Sequence, residues 1–254
     1  MNYKISKIRY KEMIGINNMR LIHGDCLEEM DELIDEGIKV DAIIVDPPYK
    51  ITARGNGGNS GGMFQKKEVN NGKIFKVNDI EIEDWLPKCW DLLKEQSHMY
   101  IMTNNKNITN YLETIKHMYF NNDKRQKFRF VKNLIWVKDN KIMGQTYMSQ
   151  FEYIIMLAKG KHKKINNCGD SDVLHIPNKK MKDENNKTIH DTEKPVELMD
   201  RLVLNSTIEN ETVLDFAMGI GGCGVACKHN HRNFIGIEID EKYFNIAKER
   251  IENT

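Results

Sequence analysis

The strongest constraint on the fold is a recurring unit: a short apolar run, a polar turn, then an amphipathic stretch. Seven runs have this character: Arg20–His23, Val40–Val45, His98–Met102, Asn133–Val137, Glu152–Leu157, Thr212–Leu214 and Phe234–Glu238. Runs that are apolar almost throughout, such as Ala42-Ile43-Ile44-Val45, suit strands covered on both faces, as in a parallel sheet. Helical stripes alternate with them. Leu27, Met30, Leu33 and Ile34 form one, with Asp25 placed to cap its start and Gly37 just past its end. Leu198, Met199, Leu202 and Val203 form a second, entered through Pro195, and Phe244, Ala247 and Ile251 a third that begins near Asp240. The alternation predicts an α/β fold with a doubly wound, mostly parallel, seven-stranded Rossmann-like sheet.

Two stretches break the rhythm. Arg54–Gly62 is rich in Gly, Asn and Ser and continues as a loop to about Lys76, while Lys159–Thr188 is Lys-rich and aperiodic. The first reads as a mobile active-site loop and the second as an inserted recognition segment; the alternative is that both are solvated linkers. A chain of 254 residues accommodates one large domain. The expected division is a first half over 1–158, an insertion over 159–189 and a second half of the same domain over 190–254.

Composition excludes more than it selects. No apolar run approaches the roughly 18–20 residues of a membrane span, and the N-terminus lacks a secretory apolar core. A cytoplasmic protein without a membrane partner is expected. The five cysteines are scattered, and no Cys or His cluster has metal-ligand spacing, so free thiols and no metal are expected. A net charge of +1 means that any nucleic-acid contact must come from local positive charge.

Two motifs carry chemistry. The strand Thr212-Val213-Leu214 ends in Asp215, and Gly219-Ile220-Gly221-Gly222-Cys223-Gly224 follows as a literal G-x-G-x-x-G. Glycines there let backbone approach a ligand at a helix N-terminus, and Glu238, at the end of the next strand, suits the two hydroxyls of a ribose. The glycines alone fit a dinucleotide or S-adenosylmethionine equally. Asp215 separates them: an acid repels a pyrophosphate and attracts a sulfonium and an ammonium.

The second motif is Asp46-Pro47-Pro48-Tyr49, directly after the strand Val40–Val45. Read alone, it could be an ordinary Asp-initiated turn. Its two prolines stop the strand and offer no N–H, leaving acceptors around Asp46. Acceptors suit an amino-group substrate. An exocyclic amino nitrogen is a poor nucleophile because its lone pair is delocalised. Accepting both its hydrogens, at the Asp46 carboxylate and the Pro47 carbonyl, frees that pair and stabilises the developing positive charge. Tyr49 would stack on the base, which a duplex must first flip out.

With both motifs in hand, the chain resembles the circularly permuted DNA amino-methyltransferases, and is similar over nearly its whole length to phage and prophage site-specific adenine-N6 enzymes. The blocks that carry the likeness are His23-Gly24-Asp25-Cys26, Asp46–Tyr49, Lys194-Pro195-Val196-Glu197-Leu198, Asp215–Gly224 and Phe234–Glu238. The resemblance implies methyl transfer from S-adenosylmethionine, leaving S-adenosylhomocysteine, to adenine N6 in double-stranded DNA. It further implies a bacterial or phage-host cytoplasm, and homodimers are frequent in the family. Catalytic roles fall to Asp46, Pro47, Pro48 and Tyr49. Cofactor contacts fall to Asp25 and Cys26 near the adenine, His190 and Lys194 at the methionine end, and Asp215, Gly219, Gly221 and Glu238. The chain departs from the family pattern at Ile220 and Gly222, where hydroxyl side chains are common, and at Asp191, where the family often has Pro.

Three alternatives share parts of this pattern: a cytosine-N4 DNA enzyme, an adenine-N6 RNA enzyme, and an inactive cofactor- or DNA-binding relative. A nicotinamide oxidoreductase lacks a hydride-handling site. Trp85, Trp90 and Trp136 read as core, and His162 and His175 as surface. Lys138 and Asn140–Gln145, after a strand on the catalytic edge, are candidates for phosphate contact.

Overall fold

The computed structural model describes residues 10–14, 19–48, 80–142, 146–161, 163–190 and 192–254. Tyr49, the loop from Lys50 to Lys76, Met143–Gln145, His162 and Asp191 lie outside them.

Nine strands form one sheet: β1 (Tyr10–Ile14), β2 (Met19–His23), β3 (Val40–Val45), β4 (Leu93–Thr103), β5 (Phe128–Ile142), β6 (Ser149–Lys159), β7 (Val173–His175), β8 (Thr212–Asp215) and β9 (Asn233–Glu238). Their order is β1-β2-β9-β8-β3-β4-β6-β5-β7. The centre, β2-β9-β8-β3-β4, is parallel throughout, and β6 and β5 extend it antiparallel. All seven expected strands are present. The sheet has nine rather than seven because an edge strand lies at each end, β1 antiparallel to β2 and β7 parallel to β5. Edge strands need not be apolar on both faces, so neither carries the pattern that identified the others.

Among the described residues six helices cover the two faces: α1 (Cys26–Asp35), α2 (Ile82–Leu92), α3 (Ile108–His117), α4 (Val196–Ser206), α5 (Gly222–His229) and α6 (Glu241–Glu252). Strand β3 divides its side chains between them. Ala42 and Ile44 pack with Leu198 and Leu202 of α4, Val225 of α5 and Phe244 of α6. Ile43 and Val45 pack with Met30 of α1, Trp85 of α2 and Tyr111 of α3. Two-sided burial follows directly from the period-two alternation of side chains along a strand. Trp85, Trp90 and Trp136 are buried, and His175 is exposed, each as the pattern predicted.

The caps are those the sequence predicts for α1 and α6. Asp25 accepts from the Leu27 amide at 2.9 Å and Asp240 from the Tyr243 amide at 3.1 Å. Gly37 takes φ +73° past α1. Pro195 stands one residue earlier than expected, as the N-cap of α4. Among the described residues no helix is long and apolar enough to cross a membrane.

Strand order fixes where a site belongs. From β8 the chain crosses through α5 to β9 on one side; from β3 it crosses through α2 to β4 on the other. The carboxyl ends of neighbouring β8 and β3 therefore lie at the reversal point of the sheet, where crossovers diverge and leave a crevice.

Candidate active site

A cavity of about 470 Å³ occupies that crevice, within the usual roughly 300–1,000 Å³ of small-molecule sites. Its walls come from the carboxyl ends of four parallel strands: Asp25 and Cys26 after β2, Asp46, Pro47 and Pro48 after β3, Asp215 and Gly219 at β8, and Glu238 ending β9. His190 and Lys194, before α4, close one side. Of the twelve expected site positions, Tyr49 lies outside the described residues, and one of the remaining eleven, Gly221, does not line the cavity.

 The other ten described positions all face it.

The glycine loop explains the exception. Gly219 and Gly221 take φ +55° and +77°, a backbone region that side chains disfavour. A Cβ on Gly221 would stand 3.0 Å from the Cβ of Ala247 in α6, so this glycine serves the turn and its packing. Gly222, noted in the sequence only as a departure from the family pattern, lines the cavity in its place, and a Cβ there would meet the Lys194 carbonyl oxygen at 3.1 Å. The loop is held to β9 by the Met218 amide donating to the Ile237 carbonyl at 3.0 Å, and by the Gly219 amide donating to Glu238 Oε2 at 2.8 Å. His190 stands at the loop, its ring 4.5 Å from that of Tyr243.

The walls are electronegative. Asp215 is 6% exposed, and its carboxyl is pushed up to about 8. Burial is the main cause; the charges of Asp46 and Glu238 add to it, against the Ala217 amide that donates to Oδ1 at 3.1 Å. Burial likewise raises Glu238. Cys26 is pushed up to about 12 by burial and by Asp25, so its thiol stays protonated and unreactive at neutral pH. Acids this strained by one another favour a cationic occupant, which relieves their repulsion.

Asp46 sits at the meeting of this acidic wall with a basic group. Its Oδ2 is bonded by the Lys194 ammonium, while Oδ1 is buried with no hydrogen-bond partner among the described residues. A buried carboxylate oxygen left without a donor costs free energy unless an incoming donor completes it. Lys194 also donates to the Thr192 carbonyl at 3.1 Å and pairs with Glu152 on β6 at 3.6 Å. Its charge is directed at Asp46 and Glu152, and the residue also lines the cavity where the methionine-end contact was expected.

Two participants were not read from the sequence as site residues. Glu152 had no local signal, because what it faces is 42 residues further along the chain. Lys138 was read as a candidate for phosphate contact. It is instead 5% exposed, bonded to Glu152, with its ammonium 4.7 Å from the Trp136 ring centroid. Asn140, Lys141 and Ile142 beyond it are exposed.

A family model described as DNA methylase matches residues 40–249. The chain belongs to the DNA methylase family. It is 28% identical to the type II methyltransferase M.HinfI of Haemophilus influenzae, over 95% of this chain and 70% of that one. It is also 28% identical to M2.DpnII of Streptococcus pneumoniae, over 93% and 90% of the two chains. The crystal structure of the M1.HpyAVI–SAM complex is similar at a TM-score of 0.64 and 25% identity, covering 91% of this DNA methylase and 98% of that chain. In this DNA methylase the strands that carry the two motifs, β3 and β8, are hydrogen-bonded neighbours although they lie far apart along the chain.

Proposed function

We propose that this DNA methylase transfers a methyl group from S-adenosylmethionine to N6 of adenine in double-stranded DNA, on a base flipped out of the duplex. The observation that carries the reading is Oδ1 of Asp46, buried and without a partner among the described residues, at the wall of an acid-lined cavity. The residues present fit the cofactor: the cavity is large enough, and its acids suit a cationic sulfonium and ammonium.

When bound, S-adenosylmethionine supplies an electrophilic methyl carbon. Asp215 and His190 face its charged amino-acid end, Glu238 its ribose hydroxyls, and Asp25 and Cys26 its base. Asp46 accepts a hydrogen of the substrate amino group and the Pro47 carbonyl accepts the other. Together they draw lone-pair density onto nitrogen and oppose the positive charge that grows there. Tyr49 stacks on the flipped base. Adenine is chosen over cytosine on the acid that heads the tetrapeptide, the resemblance being to adenine-N6 enzymes.

Residues 159–189 act as the recognition segment. Their Lys-rich surface supplies the local positive charge that the near-neutral chain needs for phosphate. The segment is tied to the domain at several points: β7 within it pairs with β5, the Met181 amide donates to Glu193 at 2.6 Å, and the Lys163 carbonyl meets His98 Nε2 at 3.0 Å. The enzyme works in the cytoplasm, as a homodimer on the family pattern.

The test is to incubate the protein with plasmid DNA and radiolabelled S-adenosylmethionine, then digest and separate the nucleosides. Label in N6-methyladenine is expected. Label in N4-methylcytosine would overturn the choice of base, and no label in any DNA would overturn the reaction.

A further inference from the structure

Behind the cavity a line of four side chains alternates in charge: Lys138 on β5, Glu152 on β6, Lys194 before α4 and Asp46 after β3. The Lys138 ammonium bonds Glu152 Oε1, Glu152 Oε2 lies 3.6 Å from the Lys194 ammonium, and Lys194 bonds Asp46 Oδ2. All four are largely buried, with the two ammonium-bearing side chains 5% and 7% exposed. The far end is fixed to the sheet. Trp136, beneath Lys138, donates through Nε1 to the Ile176 carbonyl at 2.8 Å, and the Lys138 carbonyl accepts from Gln150 Nε2 at 3.0 Å.

We infer that Glu152 and Lys138 are positioning residues, which act through Lys194 to fix the direction of the Asp46 carboxylate and to set how strongly it accepts. This rests on the reading of Asp46 as the amino-group acceptor. Two physical arguments support it. First, an ammonium on a flexible stem defines a direction only if several groups hold it. Here Asp46, Glu152 and the Thr192 carbonyl hold it from three elements, so Oδ2 is the occupied oxygen and Oδ1 the available one.

Second, a lone Lys194 beside Asp46 would draw its negative charge into a tight pair and weaken it as an acceptor. Glu152 divides that attraction, and Lys138 keeps Glu152 ionised while doing so. The titration directions agree. Burial pushes Asp46 above the ordinary carboxylate range, Lys194 and Lys138 pull it down, and Glu152 pushes it up. Asp215, facing it from β8, carries a carboxyl of its own that Asp46 raises in turn. For Glu152 burial pushes upward too, but Lys194 and Lys138 outweigh it and hold it below its ordinary value.

The two residues therefore have opposite effects on one group. Glu152→Gln removes the negative neighbour and should lower the Asp46 pKa; Lys138→Met removes a positive one and should raise it. Each shift is expected to be about one unit, the usual scale for losing one nearby charge. A residue that merely supported the fold would not move one group in opposite directions.

The decisive measurement is a ¹³C-carboxyl NMR titration of the full chain without cofactor, with Asp46 assigned by its loss in Asp46→Asn. It is paired with single-turnover methyl transfer to DNA across pH and with cofactor binding at equilibrium. Opposite shifts are expected, with transfer by Glu152→Gln falling about tenfold, or 1.4 kcal/mol, while cofactor affinity stays within about twofold. Glu152→Asp and Lys138→Arg keep the charges and should restore the wild-type titration, which separates charge from folding. Shifts of the same sign, or none beyond about 0.3 units, would overturn the inference. If the wild type itself methylated no DNA, the proposed function would fail while the titration still decided the coupling.

Discussion

The Lys194 ammonium occupies one carboxylate oxygen of Asp46 and leaves the other buried, with no hydrogen-bond partner among the described residues. That division makes Asp46 an acceptor with one direction open, which is what a planar amino group needs in order to be drawn out of conjugation.

Asp46→Asn keeps the shape of the side chain and removes its charge. Methyl transfer should fall by about 10²–10³-fold, the usual scale for losing one transition-state interaction of this kind. Single-turnover assays with labelled cofactor measure the fall, and equilibrium dialysis should find cofactor binding preserved. Transfer within tenfold of wild type would remove Asp46 from the reaction.

Cofactor binding should depend on pH through Asp215. With its carboxyl at about 8, the group is largely protonated at neutral pH in the free protein, and a cationic ligand favours the ionised form. Affinity should therefore rise from pH 6.5 to 8.5, with close to one proton released on binding at pH 7. Calorimetry in buffers of different ionisation enthalpy counts that proton, and Asp215→Asn should abolish it.

The same group links stability to pH with a definite sign. Its pKa lies near 3.8 in the unfolded chain and about 8 in the folded one, so the folded chain binds the extra proton between these values. Its stabilising contribution is full below 3.8 and is lost as pH rises through 8. Thermal unfolding without cofactor should show a midpoint that falls from pH 6 to 9 less in Asp215→Asn than in wild type.

Glu238→Gln should weaken cofactor binding by about tenfold, roughly the 1.4 kcal/mol of one charge-assisted hydrogen bond. The carboxylate accepts from the Gly219 and Asp240 amides at 2.8 and 2.9 Å, and an amide side chain cannot accept at both ends. The effect should appear in Kd and KM for the cofactor, with KM for DNA unchanged.

Gly224→Ala tests the packing of the loop helix. A Cβ there would stand 2.8 Å from Cε1 of Phe234 and collide with Ile251 as well. Overpacking of this kind costs about 1–3 kcal/mol, and the unfolding midpoint should drop by several degrees. An unchanged midpoint would mean that α5 and α6 yield freely.

Much of this was legible in the sequence, for a common reason. The acids Asp46, Asp215 and Glu238 each follow an apolar run, and a strand end is both easy to recognise and where ligands gather. Gly221 lies away from the cavity lining, and a glycine needed for positive φ looks the same on paper as one needed for ligand approach. Helices α2 and α3 went unpredicted: Pro87 interrupts the first, and the second buries only Tyr111 and Ile115, too sparse a stripe to stand out. Glu152 was invisible because its meaning depends on Lys194, and nothing local to an antiparallel strand reveals what approaches it from another layer.

The adjacency of β8 and β3 has a consequence for synthesis. β3 leaves the ribosome early, but one of its two hydrogen-bonding neighbours is made more than 160 residues later. Until then a strand that is apolar except for Asp41 waits with an open side, the condition under which nascent chains seek wrong partners. The sheet closes only once β8 and β9 have been made, so this protein should depend on chaperones during translation.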